Sequence, residues 1–270
     1  MSEKNRPFLK WAGNKFRIID QIRRKLPQGK RLIEPFAGSA AVFLNTDYDR
    51  YLLTDTNADL IELFKTLKQE GDSFIEYTRT FFSDRNNDEE RYYHFRELFN
   101  NTDDIRLRSA LFIYLNRHGY NGLCRYNSKG IFNVPFGRYK KPYFPEKEMQ
   151  FFHKKSKRAV FKTQGFDITM RSARQGDVVY CDPPYVPLSL TSNFTSYAAN
   201  TFGEKEQKIL TLVAEELSAR DIKVLISNHH TPFTRKMYHM ADITRFEVQR
   251  FISCKGRKRD RARELLALFA

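Results

Sequence analysis

Residues 180–185 read Tyr-Cys-Asp-Pro-Pro-Tyr and follow the apolar pair Val178-Val179. An apolar run that stops on an acid, two prolines and a tyrosine describes a buried strand ending in a stiff turn. Prolines end a strand because they cannot donate to its ladder, yet one suffices for that. Pro184 biases Pro183 to an extended conformation, and neither supplies an N–H. The turn therefore offers backbone carbonyls that no ladder claims. Beside them stand the Asp182 carboxylate and the Tyr185 ring. This is a set of acceptors next to a stacking surface, with no nucleophile among them. It suits a planar base carrying an exocyclic amino group. Hydrogen bonds from both N–H groups, to Asp182 and to the Pro183 carbonyl, localise the amino lone pair toward an electrophile, while Tyr185 stacks on the extruded base. Against a sulfonium methyl, alignment is most of the task and is worth up to about 7–11 kcal/mol. A proline-rich structural turn is the plainer alternative.

A second pair of residues points to what carries the electrophile. Arg31–Glu34 reads as a strand, and Pro35-Phe36-Ala37-Gly38-Ser39-Ala40 as a small-residue turn opening a helix. The stretch 50–67 repeats the pattern. A short strand ends at Asp55, and Asn57 caps a helix carrying Leu60, Ile61, Leu63, Phe64 and Leu67. In an open α/β sheet, ligands gather beyond the carboxyl ends of the strands. Gly38 lets backbone come close to a ligand there, and a carboxylate after the next strand suits ribose hydroxyls. No Gly-Lys-Ser/Thr follows the turn and no complete dinucleotide fingerprint is present. A cofactor with a ribose but no phosphate, such as S-adenosylmethionine, fits both absences. Small turns and strand-end aspartates also occur in sheets that bind nothing.

The charge balance names a class of partner. Lys plus Arg number 47 against 32 Asp plus Glu, a formal +15 that draws polyanions. Residues 117–145 hold six Lys/Arg and seven aromatics with no Asp or Glu, the mixture that neutralises phosphates and stacks on bases. Within them, Leu-Cys-Arg-Tyr-Asn, Ser-Lys-Gly and Ile-Phe-Asn-Val resemble a β-hairpin with a short polar turn. Such a hairpin enters a major groove, where Arg fits guanine and Asn fits adenine. The basic loop 254–263 reads equally as a mobile source of nonspecific phosphate attraction or as a solvated connection. Cys124, Cys181 and Cys254 lie far apart, with no CxxC and no His at zinc-ligand spacing. No stretch approaches the roughly 20 continuous apolar residues of a membrane span, and the first residues lack a signal peptide's apolar block. A reduced, metal-free cytoplasmic protein is expected.

The elements that must position these residues follow from periodicity. Residues 70–116 read as mostly helical, with Phe74, Tyr77, Phe81, Phe95 and Phe99 as core, and 109–117 as a buried helix. A helix over 204–219, a strand over 222–229 and two closing strands around the basic loop complete the chain. Four or more strands alternating with helices predict an α/β fold with a doubly wound, mostly parallel sheet. Residues 57–145 interrupt that alternation as an inserted, mainly helical subdomain carrying the hairpin. Residues 1–56 and 146–270 are left to form the catalytic domain.

Taken in order, residues 8–15, 34–45, 116–127, 132–145, 180–189 and 225–229 resemble the Dam family of DNA adenine methyltransferases along nearly the whole chain. The resemblance implies a Rossmann-like fold and methyl transfer from S-adenosylmethionine to N6 of adenine in double-stranded GATC. It further implies base flipping, direct attack by the amino group, and a monomeric, nucleoid-associated protein. Carried over by position, Trp11, Lys15, Phe36, Asp55 and Asp182 bind cofactor with Gly38, and Asp182, Pro183 and Tyr185 are catalytic. Tyr120 matches a residue inserted into the base stack, with Asn121 beside it. Leu123, Arg125, Pro135 and Tyr139 match GATC-reading positions, and Lys10 a flanking-base contact. Arg96, Asn127 and Arg138 match phosphate contacts, with Lys140 in the same DNA-binding set. Ala40 departs from the family's second motif glycine, for which a modest effect on cofactor affinity is expected. Cytosine-N4 enzymes more often carry Ser before the prolines, so Asp182 leans toward adenine. Cytosine-C5 chemistry needs a cysteine nucleophile, whereas Cys181 reads as a buried strand residue. RNA methylation and a catalytically dead nucleic-acid binder are the remaining alternatives; the intact Asp-Pro-Pro-Tyr and Asp55 count against the second.

Overall fold

The structure, a computed structural model, describes residues 4–185, 202–249 and 261–270. Its sheet has seven strands: β1 (Arg31–Glu34), β2 (Arg50–Asp55), β3 (Ala159–Thr163), β4 (Asp177–Cys181), β5 (Lys223–His229), β6 (Asp242–Gln249) and β7 (Arg261–Phe269). They lie in the order β3-β2-β1-β4-β5-β7-β6. β1 is parallel to β2 and β4, and β4 to β5, whereas β7 runs antiparallel between β5 and β6. The reason lies in composition. Leu32, Ile33, Val178 and Val179 are buried as continuous pairs, as a parallel strand covered on both faces requires. The strands expected at 31–34, up to Asp55, before Asp182 and at 222–229 are present within a residue or so of their expected ends, whereas β7 starts at Arg261, inside the expected loop 254–263, and β3 is not among those expected. The parallel run brings the carboxyl ends of β4 and β5 to one rim, so Asp182 follows β4 where His229 closes β5. β7 starts at that same rim, with Glu264 opposite His229.

Two compact units divide the chain. The second comprises Ile18–Phe36, Tyr48–Thr54 and Gln164–Ala270, and holds α1 (Ile19–Lys25), α8 (Phe166–Arg171), α9 (Glu204–Ser218) and α10 (Pro232–Met237). On α9, Leu210, Val213, Ala214 and Leu217 recur at helical spacing and pack in one core with Val179, Cys181, Ile226 and Leu265.

The first unit comprises the chain up to Arg17, Ala37–Asp47 and Asp55–Thr163. It holds α2 (Ala41–Leu44), α3 (Ala58–Glu70), α4 (Asp72–Arg79), α5 (Glu89–Asn101), α6 (Ile105–His118) and α7 (Glu146–Ser156). Asn57, Asp88 and Asp104 cap α3, α5 and α6 by accepting from the backbone of Leu60, Arg91 and Leu107. α6 is buried from Ser109 to His118 and contacts α3, α4 and α5, so the apolar run at 109–117 is the axis of this unit.

The expected hairpin is present in short form: Tyr126 and Phe132 form an antiparallel bridge, with Asn127 N–H on the Ile131 carbonyl at 2.9 Å and Asn133 N–H on the Arg125 carbonyl at 3.1 Å, and a second bridge joins Gly119 and Phe136. Side chains explain why the ladder is no longer. Asn127 Oδ1 takes the N–H groups of Lys129 and Ile131, the Arg125 guanidinium takes the Asn133 carbonyl, and Pro135 has no N–H to give. Among the described residues no helix is long and apolar enough to cross a membrane. The loop at 254–260, with Cys254, lies outside the described residues.

Candidate active site

In the second unit, β4 delivers Asp182 to the rim. Its Oδ1 accepts from the Ser227 hydroxyl at 3.0 Å, and Ser227 in turn accepts from the Tyr180 phenol at 3.1 Å. Pro183 is buried and Pro184 exposed. The Pro184 carbonyl accepts from Gln207 Nε2 at 2.9 Å. Among the described residues no hydrogen bond reaches the Pro183 carbonyl. The Tyr185 ring meets the His229 ring edge-on, 4.7 Å between centroids, and its hydroxyl donates to Glu264 Oε2 at 3.4 Å. Burial, with the negative charges of Asp182 and Glu264, holds the Tyr185 phenol well above its ordinary pKa, so it stays protonated. Burial and then the Asp182 charge likewise push up the Cys181 thiol, which lies 3.7 Å from Met170 Sδ. No thiolate stands there for attack on a ring carbon. Phe36 stacks on Phe166 at 5.4 Å and meets Phe202 edge-on at 5.4 Å.

In the first unit, the Gly38 turn and Asp55 are joined directly. Asp55 Oδ2 accepts from Gly38 N and Oδ1 from Asn57 N, both at 3.0 Å. Burial raises the Asp55 carboxyl, against the lowering pull of the Asn57, Gly38 and Thr56 N–H groups. Three N–H groups leave one of the carboxylate's roughly four lone-pair sites, which a ribose hydroxyl can use. Gly38 has φ +46°, and a β-carbon there would lie 2.8 Å from Trp11 Nε1. Trp11 thus covers the turn so closely that only glycine fits. Ala40 occupies the left-handed region at φ 59°, ψ 31° and is fully buried. It therefore keeps the backbone of a glycine with a methyl group added. Lys15, also buried, donates to the Gly13 carbonyl at 2.6 Å.

The DNA-reading candidates lie in this unit too. Tyr120 is 52% exposed, its N–H bonded to the Pro135 carbonyl at 2.8 Å. Asn121 is left-handed at φ 54° and donates its N–H to the Tyr139 hydroxyl at 3.0 Å. The Lys10 ammonium sits 4.2 Å above the Tyr139 ring centroid, and its pKa is lowered by burial and by Arg117. Lys10, Tyr120, Asn121, Pro135 and Tyr139 are thus brought together. Leu123 is half-buried beside them. Arg125 is exposed, with Asn133 holding Nε through Oδ1 at 2.7 Å and Nη2 through its carbonyl at 2.9 Å. Arg96 donates to the Val134 carbonyl at 3.1 Å, the exposed Arg138 pairs with Glu89 at 3.3 Å, and the exposed Lys140 lends its carbonyl to Asn87. Asn127 has its side-chain oxygen committed to the turn. Not every ring in 117–145 is available for stacking. Phe132 is buried against Phe99, and the Tyr126 hydroxyl is bound to Asp59 at 2.6 Å.

Sequence reasoning missed Ser227, Gln207, Asn228 and Asn133. The first three had a signal: two adjacent polar residues inside the apolar strand β5, and one polar residue on the buried face of α9.

A turn of acceptors beside an aromatic plate, a glycine turn tied to a strand-end aspartate, and an exposed tyrosine in a cluster with Lys10 and Tyr139 each suit an enzyme acting on a nucleic-acid base. Comparison with known proteins sharpens this. The family model described as D12 class N6 adenine-specific DNA methyltransferase matches residues 11–252. The DNA adenine methylase of Escherichia coli (strain K12) is 51% identical over 267 residues, covering 99% of this chain and 96% of that protein. That of Serratia marcescens is 51% identical over 268 residues, covering 99% of each. That of Vibrio cholerae serotype O1 (strain ATCC 39315 / El Tor Inaba N16961) is 50% identical over 268 residues, with coverages of 99% and 97%. With a family model spanning nearly its whole length, the chain belongs to the D12 class of N6 adenine-specific DNA methyltransferases and is an enzyme that methylates adenine in DNA.

Proposed function

We propose that this methyltransferase acts on adenine in double-stranded GATC, with S-adenosylmethionine as methyl donor and Asp182, the Pro183 carbonyl and Tyr185 as the groups that hold the base. The observation that carries the reading is the Asp182–Tyr185 turn: a braced carboxylate, a proline carbonyl without a donor among the described residues, and a protonated phenol ring in one short segment. Two N–H bonds to Asp182 and Pro183 turn the amino lone pair outward, and Tyr185 supports the extruded ring. Asp182 also offsets the positive charge that grows on N6 as the methyl arrives, and accepts or passes on the departing proton.

When bound, S-adenosylmethionine supplies a methyl already activated by its sulfonium. The residues present fit such a molecule. Asp55 offers an acceptor to a ribose, the Trp11 indole packs directly on the bare Gly38 turn beside it, and the turn lacks a phosphate loop's lysine. Trp11, Lys15, Phe36, Gly38, Asp55 and Asp182 are assigned to it.

Residues 57–145 are proposed as the target-recognition subdomain. Tyr120 enters the stack, and Lys10, Asn121, Leu123, Arg125, Pro135 and Tyr139 read bases. Arg96, Asn127, Arg138 and Lys140 hold phosphates. The protein is proposed to act as a monomer on cytoplasmic, nucleoid DNA. Unmethylated plasmid incubated with enzyme and S-adenosylmethionine should become a substrate for a nuclease that requires methylated GATC. Methyl label incorporated into plasmid that this nuclease leaves uncut would reject the target sequence.

A further inference from the structure

Ser227 and Asn228 are adjacent in β5 and both fully buried. Buried polar side chains in an apolar strand are costly unless bonded, and strand alternation sends these two to opposite faces. Both nevertheless end at the Asp182–Tyr185 turn. On one face, the Ser227 hydroxyl donates to Asp182 Oδ1 at 3.0 Å and lies 3.4 Å from the Cys181 carbonyl. On the other, Asn228 Nδ2 donates to Gln207 Oε1 at 3.1 Å and to the Tyr238 hydroxyl at 3.0 Å. Gln207 then donates to the Pro184 carbonyl at 2.9 Å. The turn is gripped at Pro184, the third residue after β4, by one chain of bonds and at Asp182 by the other.

The Asp182 grip has a direction. Tyr180, also buried, donates its hydroxyl proton to Ser227 Oγ at 3.1 Å. Ser227 also meets the Tyr185 hydroxyl, and with Tyr180 filling one lone pair its own proton points to the nearer of the Asp182 and Cys181 oxygens, the carboxylate. A carboxylate turns readily about its last side-chain bond, because such torsions have broad wells, so each bond to it narrows that rotation.

We propose that Ser227, backed by Tyr180, is a positioning residue that sets the rotation of the Asp182 carboxylate and so aims its lone pairs at the adenine amino group. This rests on the reading of Asp182 as the acceptor for that group. Asn228 and Gln207 hold the other end of the turn in the same register. The polar pair in β5 thereby gains a purpose that strand formation alone does not give it.

The test uses Ser227→Ala, Tyr180→Phe and the double variant of the full chain, with Asp182→Ala as control. Single-turnover methyl transfer to a GATC duplex, the KM for that duplex, thermal melting, and cofactor affinity by quenching of Trp11, the one tryptophan, are measured for each. Ser227→Ala is expected to slow transfer roughly 10- to 100-fold, the scale of a small misplacement, with KM and cofactor affinity near wild type. Tyr180→Phe should slow it less, and the double variant should be no slower than Ser227→Ala, because both act through one hydrogen bond. Wild-type transfer by Ser227→Ala while Asp182→Ala is inactive would overturn the positioning role alone. Wild-type transfer by Asp182→Ala would overturn the reading of the turn itself. Should Ser227→Ala not fold, a normally melting Tyr180→Phe with an unchanged rate would also overturn the relay, and a slowed one would support it.

Discussion

The indole of Trp11 lies against Gly38 so closely that a β-carbon at position 38 would sit 2.8 Å from Nε1 and 3.1 Å from Cδ1. The same glycine is left-handed, and its N–H is the one that Asp55 accepts. One substitution therefore disturbs three things together. Gly38→Ala is expected to cost about 1–2 kcal/mol from backbone strain plus whatever displacement of Trp11 requires. Titration of S-adenosylmethionine against tryptophan fluorescence should show affinity lowered roughly tenfold or more. Unchanged affinity would remove Trp11 and Gly38 from the cofactor assignment.

Ala40 poses the converse case. It holds φ 59° with a buried methyl group, a conformation that costs a non-glycine residue about 1–2 kcal/mol. Glycine there loses about 0.5–1 kcal/mol through chain entropy. Losing the buried methyl costs about 0.8 kcal/mol more, so Ala40→Gly should leave stability in urea unfolding within about 1 kcal/mol of wild type, with cofactor affinity equal or modestly higher.

His118 gives the fold an acid limit. It is buried at the end of α6, stacked on Tyr114 at 3.9 Å, with Nδ1 donating to the Tyr114 carbonyl at 2.9 Å. Burial, with Lys10 adding to it, lowers its pKa to about 4. The unfolded chain then binds a proton that the folded chain refuses. Stability from this group is complete above the unfolded value of about 6.5 and falls as pH drops from there to about 4. The loss is on the order of 3 kcal/mol at most. Urea midpoints measured across that window should fall with pH in the wild type and much less in His118→Phe, which keeps the ring.

Much of this was legible because it is local. The turns at Gly38 and Asp182 are announced by residue types whose backbone limits act within a few positions, and the Asn57 cap lies one turn from the residue it bonds. The bracing was not. Ser227 reaches Asp182 across 45 positions, and Gln207 reaches Pro184 from another helix. Such pairings arise only once the sheet order is set. The hairpin is a short one for a related reason. Asn127 and Arg125 bond to backbone that a ladder would have used, and alternation alone does not reveal this competition. The aromatic count in 117–145 likewise mixed rings that face solvent with rings that fill the core.

Arg125 tests the base-reading assignment. Asn133 binds two of its donors from one side, which holds the fork rigid and leaves further N–H groups for a guanine edge. Arg125→Ala should relax discrimination between GATC and variants at one base pair by about 1–3 kcal/mol, read as a ratio of kcat/KM values. Cofactor binding should not change. Asn133→Ala should give a smaller relaxation at the same base pair.

The most direct test is the rate of methyl transfer by Asp182→Ala in a single turnover, on a GATC duplex with enzyme and S-adenosylmethionine both saturating. If the carboxylate holds the adenine amino group, transfer should fall at least about 10²-fold while the duplex binds as before. Transfer within a few-fold of wild type would contradict the assignment of Asp182, and with it the catalytic role of the turn.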